Sequence, residues 1–394
     1  MSVPEIPISR PWYIAHRLHS KIENAGRETL SRLIQPKYTI VGAYNTQNLG
    51  DLAMGMTLRE IARSLGIPAH LAFLGSHGNI SASSAAVMGG GELGNPTSFS
   101  CFKKHVHGQS ARAAVIGVNA SVDIEEAPAE LLEFLAALPF ISQRTRKATM
   151  DLARLLGREV VYQPDITFAI PLLFPEAISS HGRSEKIGIS FSPMYMTVRD
   201  QSRLVPSKEL EPLFARYNPA FHRYLGVAGI RYTEVVQKLV DVLSARGQKL
   251  VHIAFSPVDD LFSRSVLGAK SGVEFVRFWP DPLRALREIS ECASLYATRF
   301  HAHIFGLLAR VPTVSIAYSQ KCETLWEDLG LDPGNQVNRM DIASEPEKTL
   351  ERLTSLSGVE IGMEKYRLLT REALEISTRG LTSVGNWSHG LQRG

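Results

Sequence analysis

Twice along this chain, short apolar runs alternate with amphipathic stretches, and no other feature restricts its fold as strongly. The first run, YTIVGAY at 38–44, is short and almost wholly apolar or aromatic, as a strand buried on both faces of a parallel sheet must be. A polar turn, NTQNLGD, follows it. LAMGMTLREIARSLG (52–66) then reads as a helix, with Asp51 as expected N-cap and Gly66 as expected C′ residue. The alternation continues through AHLAFL, SAAVMGGG and ARAAVIGV, the helix around AELLEFLAAL, ISQR, the helix TRKATMDLARLLG and the strand-like VVYQPDITFAI.

Pro171–Arg183 loses the pattern, and the boundary between two domains is placed there. A second series opens at KIGISFS and runs through the helix YTEVVQKLVDVLSARG, KLVHIAF, VEFVRFW, the helix DPLRALREISECAS, LYATRF, the helix HAHIFGLLAR and TVSIAY. Strands alternating with helices imply right-handed crossovers and a parallel sheet in each half. The expected architecture is therefore α/β, with two Rossmann-like domains whose parallel sheets face across a cleft. Their spans are 37–175 and 184–345. Residues 346–394 read as helical and are expected to pack back on the first domain, while 194–229, rich in Pro, Tyr and Arg, reads as an insertion or lid near the cleft or an ordinary surface excursion.

Composition narrows the classes. An apolar fraction of 44% with 21% charged residues is ordinary for a globular protein. A net charge of +4, from 43 basic and 39 acidic side chains, is too balanced to indicate nucleic acid, and no RNA-binding or finger motif is present. Cys101, Cys292 and Cys322 are scattered, so neither a zinc site nor a disulfide framework is suggested and a reducing cytoplasm fits. No run of about 18 apolar residues argues for a spanning helix, and the N-terminus lacks the apolar stretch of a secretory signal. Residues 1–36 stand apart as a basic extension: Ile14, Leu18 and Ile22 share a face among Arg17, Lys21, Arg27 and Arg32, behind Trp12 and Tyr13. Within it, residues 10–35 could lie on an anionic membrane surface, on the first domain or on another subunit.

In open parallel sheets, ligands bind beyond the carboxyl ends of the strands, where helix N-termini point outward. Four segments fall at such places. Asn45 and Asn48-Leu49-Gly50-Asp51 follow the first strand, where they either hold a ligand or merely form the turn and cap the helix. Gly89-Gly90-Gly91-Glu92 lets backbone approach a ligand, yet it is no GxGxxG fingerprint and no helix obviously follows; Glu92 is a base or a surface carboxylate. Lys103, Lys104, His105 and His107 form a small basic loop, either solvated or in contact with an anionic substrate. The strongest segment is Thr298-Arg299-Phe300-His301 with Tyr318-Ser319-Gln320-Lys321 one strand on. Arginine offers a planar fork for phosphate or carboxylate, and an imidazole can exchange a proton near neutral pH. His301 and His303 diverge on a helix, so a metal reading is poor.

Taken in order, these segments resemble the polysaccharide pyruvyl transferase family over roughly residues 38–330. The family's NxGD is Asn48–Asp51, its GGG is Gly89–Gly91, its SxRD is Ser142-Gln143-Arg144-Thr145, its DPAF-like segment is Asp165–Phe168, and its RxH and YxxK are Arg299–His301 and Tyr318–Lys321. Two departures stand out: Thr145 replaces an acid, and the glycine run continues into Glu92-Leu93-Gly94. The resemblance implies transfer of pyruvate from phosphoenolpyruvate to two hydroxyls of a cell-surface polysaccharide or its precursor, as a cyclic ketal, on a glycosyltransferase-B-like scaffold. Arg144, Arg299, Ser319 and Lys321 would hold the donor, and His301 would be the general acid. Asp51 or Glu92 would serve the acceptor hydroxyl, and Asn45, Asn48, Lys104 and His105 the saccharide, which could be lipid-linked, free or polymeric. No cofactor or metal is called for, and the oligomeric state stays open. A nucleotide-sugar glycosyltransferase and a noncatalytic saccharide or phosphate binder are the competing readings.

Overall fold

The computed structural model describes residues 6–7, 38–44, 47–74, 85–178, 182–199, 203–268 and 272–390. Asn45 and the basic amphipathic stretch at 10–35 lie outside these residues. The chain divides into two compact units. One, here the C-terminal unit, holds 1–19 and 176–361, and the other, the N-terminal unit, holds 20–175 and 362–394. The first described strand, β1 (Ile6–Pro7), belongs to the C-terminal unit.

The N-terminal unit is built on six parallel strands: β2 (Tyr38–Gly42), β3 (Ala69–Phe73), β4 (Ala85–Gly94), β5 (Ala113–Ala120), β6 (Phe140–Gln143) and β7 (Val161–Tyr162). Their order is β3-β2-β4-β5-β6-β7, so the winding direction reverses between β2 and β4. Every residue of β2 is buried, which is what a central strand covered on both faces requires. Helices α1 (Leu49–Ser64), α2 (Pro96–His105), α3 (Ala129–Ala136), α4 (Arg146–Leu156) and the short α5 (Ile170–Leu173) follow the strands in turn.

Three local expectations change. The N-cap of α1 is Asn48, whose side chain accepts from Gly50 N at 3.0 Å; Asp51 lies in the first turn, where a carboxylate also suits the helix dipole. A helix does follow the glycine run, because Asn95 caps it and Pro96 starts it. VVYQPDITFAI is a strand only over Val161–Tyr162; Asp165 then accepts from Thr167 N and turns the chain into a 3-10 turn at Ile166–Ala169.

The C-terminal unit carries a second parallel sheet: β8 (Ile187–Ser190), β11 (Leu250–His252), β12 (Val273–Phe275), β13 (Ser294–Ala297), β14 (Thr313–Ala317) and β15 (Gln336–Asn338). The order β12-β11-β8-β13-β14-β15 reverses between β8 and β13. The stretch 194–229 is no shapeless excursion. It forms β9 (Met196–Arg199) and β10 (Arg203–Pro206), antiparallel to each other and extended by β1, followed by α6 (Glu211–Tyr217) and α7 (Pro219–His222). Phe214, Phe221 and Tyr195 from this stretch are buried in the unit's core. Helix α8 (Leu225–Ala245) starts earlier than its periodicity predicts, and Gly229 inside it has a purpose: a Cβ there would stand 2.5 Å from Met196 Sδ.

α9 (Pro257–Leu267), α10 (Pro282–Ser290), α11 (Phe300–Leu308), α12 (Gln320–Asp328) and α13 (Arg339–Ser344) complete the crossovers. The tail expected to return as one piece is split. Helix α14 (Pro346–Ser355) stays with the C-terminal unit, where Leu353 joins the core and Lys238 pairs with Glu347 at 2.7 Å. Only α15 (Met363–Gly390) covers the N-terminal sheet. Tyr38 donates to Leu381 O at 2.9 Å, and Gln163 donates to Ser377 Oγ at 2.6 Å.

Candidate active site

In both sheets, several of the candidate residues lie where the winding reverses, the place at which an open parallel sheet parts its crossovers and leaves room for a ligand. In the C-terminal unit this point lies between β8 and β13, and the residues just beyond β13 are Thr298, Arg299, Phe300 and His301. Beyond β14, its neighbour, come Tyr318, Ser319 and Lys321. The structure therefore brings Arg299, His301, Ser319 and Lys321 to one edge of one sheet. Arg299 and Ser319 are also the N-caps of α11 and α12, and neither side chain caps the helix it precedes. Such helix starts offer amide N–H groups and a positive dipole end to an anion.

Arg299 is held by its surroundings. Its Nε lies 3.0 Å from both Asp259 oxygens, its Nη2 2.6 Å from Asp259 Oδ1, and the same Nη2 3.3 Å from Ser256 Oγ. Asp259 is fully buried in the first turn of α9; burial pushes its carboxyl up, and the Arg299 guanidinium opposes that shift. The pair fixes the plane of the guanidinium while a quarter of the arginine side chain stays exposed. His301 is buried in the first turn of α11, with its ring edge-on to Phe300 at 5.2 Å. His303 points elsewhere, to Ser315 Oγ at 3.0 Å and toward Trp326, and burial lowers its pKa to about 4. Lys321 Nζ lies 5.3 Å from the centre of the Tyr318 ring. Behind the edge, the buried Tyr232 hydroxyl joins Ser192 N at 3.4 Å and Thr298 Oγ1 at 2.9 Å, tying the two switch-point strands together.

In the N-terminal unit the equivalent point lies between β2 and β4. Gly90 and Gly91 there have positive φ, +69° and +88°, and Asp51 Oδ1 would be 3.7 Å from a Cβ on Gly91. That contact places the α1 carboxylate beside the glycine run. Glu92 is not a lone carboxylate: Arg144 Nη2 donates to its Oε1 at 2.8 Å. Arg144 Nη1 also meets Asp165 Oδ2 at 3.3 Å, and the side chains of Arg144 and Asp165 are both 2% exposed. Burial works against the Arg144 charge, but Glu92 and Asp165 outweigh it and raise the group above its ordinary range. Arg144 thus carries two carboxylates and orients Glu92. Thr145, in the place of the family's acid, caps α4 and meets Asn119 Oδ1 at 2.9 Å.

The supposed basic loop is the last turn of α2 and its exit. His105 is buried with Nε2 2.8 Å from Leu74 O, Lys103 reaches Glu130, and Lys104 is exposed, so these residues do not converge. Asn48 is occupied as a cap. Sequence reasoning missed Asp259, Ser256, Tyr232 and Tyr195. Ser256-Pro257 with Asp259 three residues on reads as an ordinary helix start, and its second role toward Arg299 comes from a strand forty residues away.

The geometry defines a two-unit parallel α/β protein with an anion-receptive edge in one unit and a carboxylate-bearing edge in the other. The chain belongs to the polysaccharide pyruvyl transferase family, whose model matches residues 48–320. No curated protein matches it. Among solved structures it is similar to a UDP-GlcNAc 2-epimerase of Methanocaldococcus jannaschii, at 8% identity over 84% of this chain and 98% of that one, with a TM-score of 0.49. It is also similar to a UDP-GlcNAc 2-epimerase of Neisseria meningitidis (8% identity, 91% and 99% covered, TM-score 0.46). A trehalose-phosphate synthase of Burkholderia vietnamiensis aligns at 11% identity over 79% and 72%, with a TM-score of 0.38. Among the described residues, no helix is long and apolar enough to cross a membrane, and no three His, Cys, Asp or Glu residues are grouped to hold a metal.

Proposed function

We propose that this protein transfers pyruvate from phosphoenolpyruvate to two hydroxyls of a saccharide, forming a cyclic ketal and releasing phosphate. The observation that carries the reading is the arrival of Arg299, His301, Ser319 and two side-chain-uncapped helix starts at one carboxyl edge, within the family-matched span.

The chemistry asks for three things. Protonation of the donor's methylene carbon makes C2 electrophilic, and His301 stands at the anion-receptive edge to give that proton. One hydroxyl oxygen bonds to C2; the C2–O bond to phosphate breaks, and the second hydroxyl oxygen replaces it. Of the two hydroxyl protons, one balances the new methyl group and one leaves on the phosphate. Fixed donors, namely Arg299, Lys321 and the amides of α11 and α12, receive the charge that develops on the leaving phosphate. Glu92, oriented by Arg144, and Asp51 are the carboxylates we assign to accepting hydroxyl protons. The acceptor is a hydroxyl-rich saccharide of a polysaccharide or its precursor.

The test is acceptor-dependent phosphate release from phosphoenolpyruvate over a panel of saccharides, with the product methyl signal read by NMR. His301→Ala is expected to abolish turnover while phosphoenolpyruvate still raises the melting temperature. A His301→Ala enzyme with near wild-type turnover removes histidine from the acid role, and stabilisation by nucleotide sugars in place of phosphoenolpyruvate overturns the donor assignment.

A further inference from the structure

We propose that Arg339, outside the family-matched span, is a further anion-holding residue on the donor side of the C-terminal unit. This rests on the donor reading above and deepens it. Arg339 is the first residue after β15, and the register Ala317↔Asn338 places it level with Tyr318, beside the strand end that carries Ser319. It is 9% exposed.

What singles it out is its charge balance. An arginine stays protonated wherever it is placed, so burying one without a counter-charge is costly. Arg144 and Arg299, the other edge arginines, each meet a buried carboxylate at ion-pair distance. Among the described residues no carboxylate comes within 4.0 Å of Arg339. Glu323 interacts with it electrostatically from beyond ion-pair distance: burial pushes that carboxyl up, and the Arg339 charge opposes the shift. In place of a carboxylate, the guanidinium has the rings of Phe214 and Phe221, with centroids at 5.8 and 5.4 Å from Cζ, and the Tyr195 hydroxyl. Tyr195 donates in turn to Tyr318 O. Its own backbone is in the left-handed region at φ 54°, a conformation a bulky residue keeps only when its surroundings hold it.

Aromatic faces orient a guanidinium and recover part of its desolvation, but they supply no negative charge. Beside these two rings, which are tilted by 53° to each other, the planar fork of the guanidinium suits a carboxylate or phosphate oxygen pair. Phosphoenolpyruvate carries both groups. The aromatic wall also gives the 194–229 stretch a purpose, since Tyr195, Phe214 and Phe221 all come from it.

The experiment measures donor affinity and steady-state constants for Arg339→Gln and Arg339→Lys in the full-length chain, with phosphoenolpyruvate, pyruvate and inorganic phosphate as separate probes. Arg339→Gln is expected to weaken phosphoenolpyruvate binding by about tenfold or more, with Arg339→Lys intermediate. A parallel loss for phosphate assigns the fork to the phosphoryl group, and a loss for pyruvate assigns it to the carboxylate. Binding within about twofold of wild type overturns the proposal, as does a loss that tracks a lower melting temperature and faster hydrogen exchange across 194–229. Should Arg339→Gln fail to fold, Arg339→Lys decides by the same affinity ratio. A wild-type protein that ignores phosphoenolpyruvate refutes the donor reading itself, and the phosphate arm still separates the two claims.

Discussion

His252 makes the stability of the C-terminal unit depend on pH in a calculable way. It is fully buried in β11, its ring 5.5 Å from that of Phe275, and neither ring nitrogen has a hydrogen-bond partner among the described residues. Burial first, and the Arg264 charge second, lower its pKa to about 3. An unfolded histidine titrates near about 6.5. Between those values the unfolded chain binds a proton that the folded chain refuses, so stability falls as pH drops through the window; above about pH 6.5 both states are neutral and nothing is lost. The difference of roughly 3.5 units corresponds to a ceiling of about 5 kcal/mol, of which about 2 kcal/mol is lost between pH 6.5 and pH 5. Replacing the imidazole with a hydrocarbon of similar size, His252→Leu, removes this sensitivity and the two unsatisfied nitrogens, each of which costs about 1–3 kcal/mol. Urea unfolding of both proteins at pH 7.5 and pH 5, with hydrogen exchange at Leu250–His252 to identify the unit, measures the effect. The variant is expected to be at least as stable at pH 7.5, and its margin over wild type to grow by about 2 kcal/mol between pH 7.5 and pH 5. Equal slopes with pH in the two proteins would refute the argument, since they would mean that the folded state takes up the proton after all.

Two further changes probe the N-terminal unit. Glu92→Gln is expected to cut turnover while changing stability by less than about 1 kcal/mol, since Glu92 is half exposed, whereas Asp165→Asn should cost about 3 kcal/mol, because it strips a buried arginine of its buried partner. Paired thermal melts and phosphate-release assays read the contrast, and equal losses of stability from both would contradict it. Gly90→Ala should destabilise by about 2–4 kcal/mol in urea: its φ is +69°, and the added Cβ would lie 2.5 Å from Met54 Sδ.

Much of the fold was legible because alternation of apolar runs is a local property. The strands at 38–42 and 313–317 announce themselves as short, wholly buried runs, and Gly66 ends its helix with the left-handed φ expected of it. Where a reading changed, a nearby competitor won: Asn48 takes the cap from Asp51, and Asp165 turns the chain where apolar residues alone suggest a strand. The stretch 194–229 resisted because its aromatic residues pack through irregular, short elements with no period to detect.

By itself the sequence determined the class of architecture, two parallel α/β units, because a chain that alternates buried strands with amphipathic helices has few other ways to bury its apolar surface. Only the tertiary structure decided how charge is distributed among the cations. Arg144 is matched by Glu92 and Asp165, Arg299 by Asp259, and Arg339 by no carboxylate among the described residues. Ion pairing acts over a few ångströms in space, and residues twenty or more positions apart reach that distance only after the strands have taken their order in the sheet.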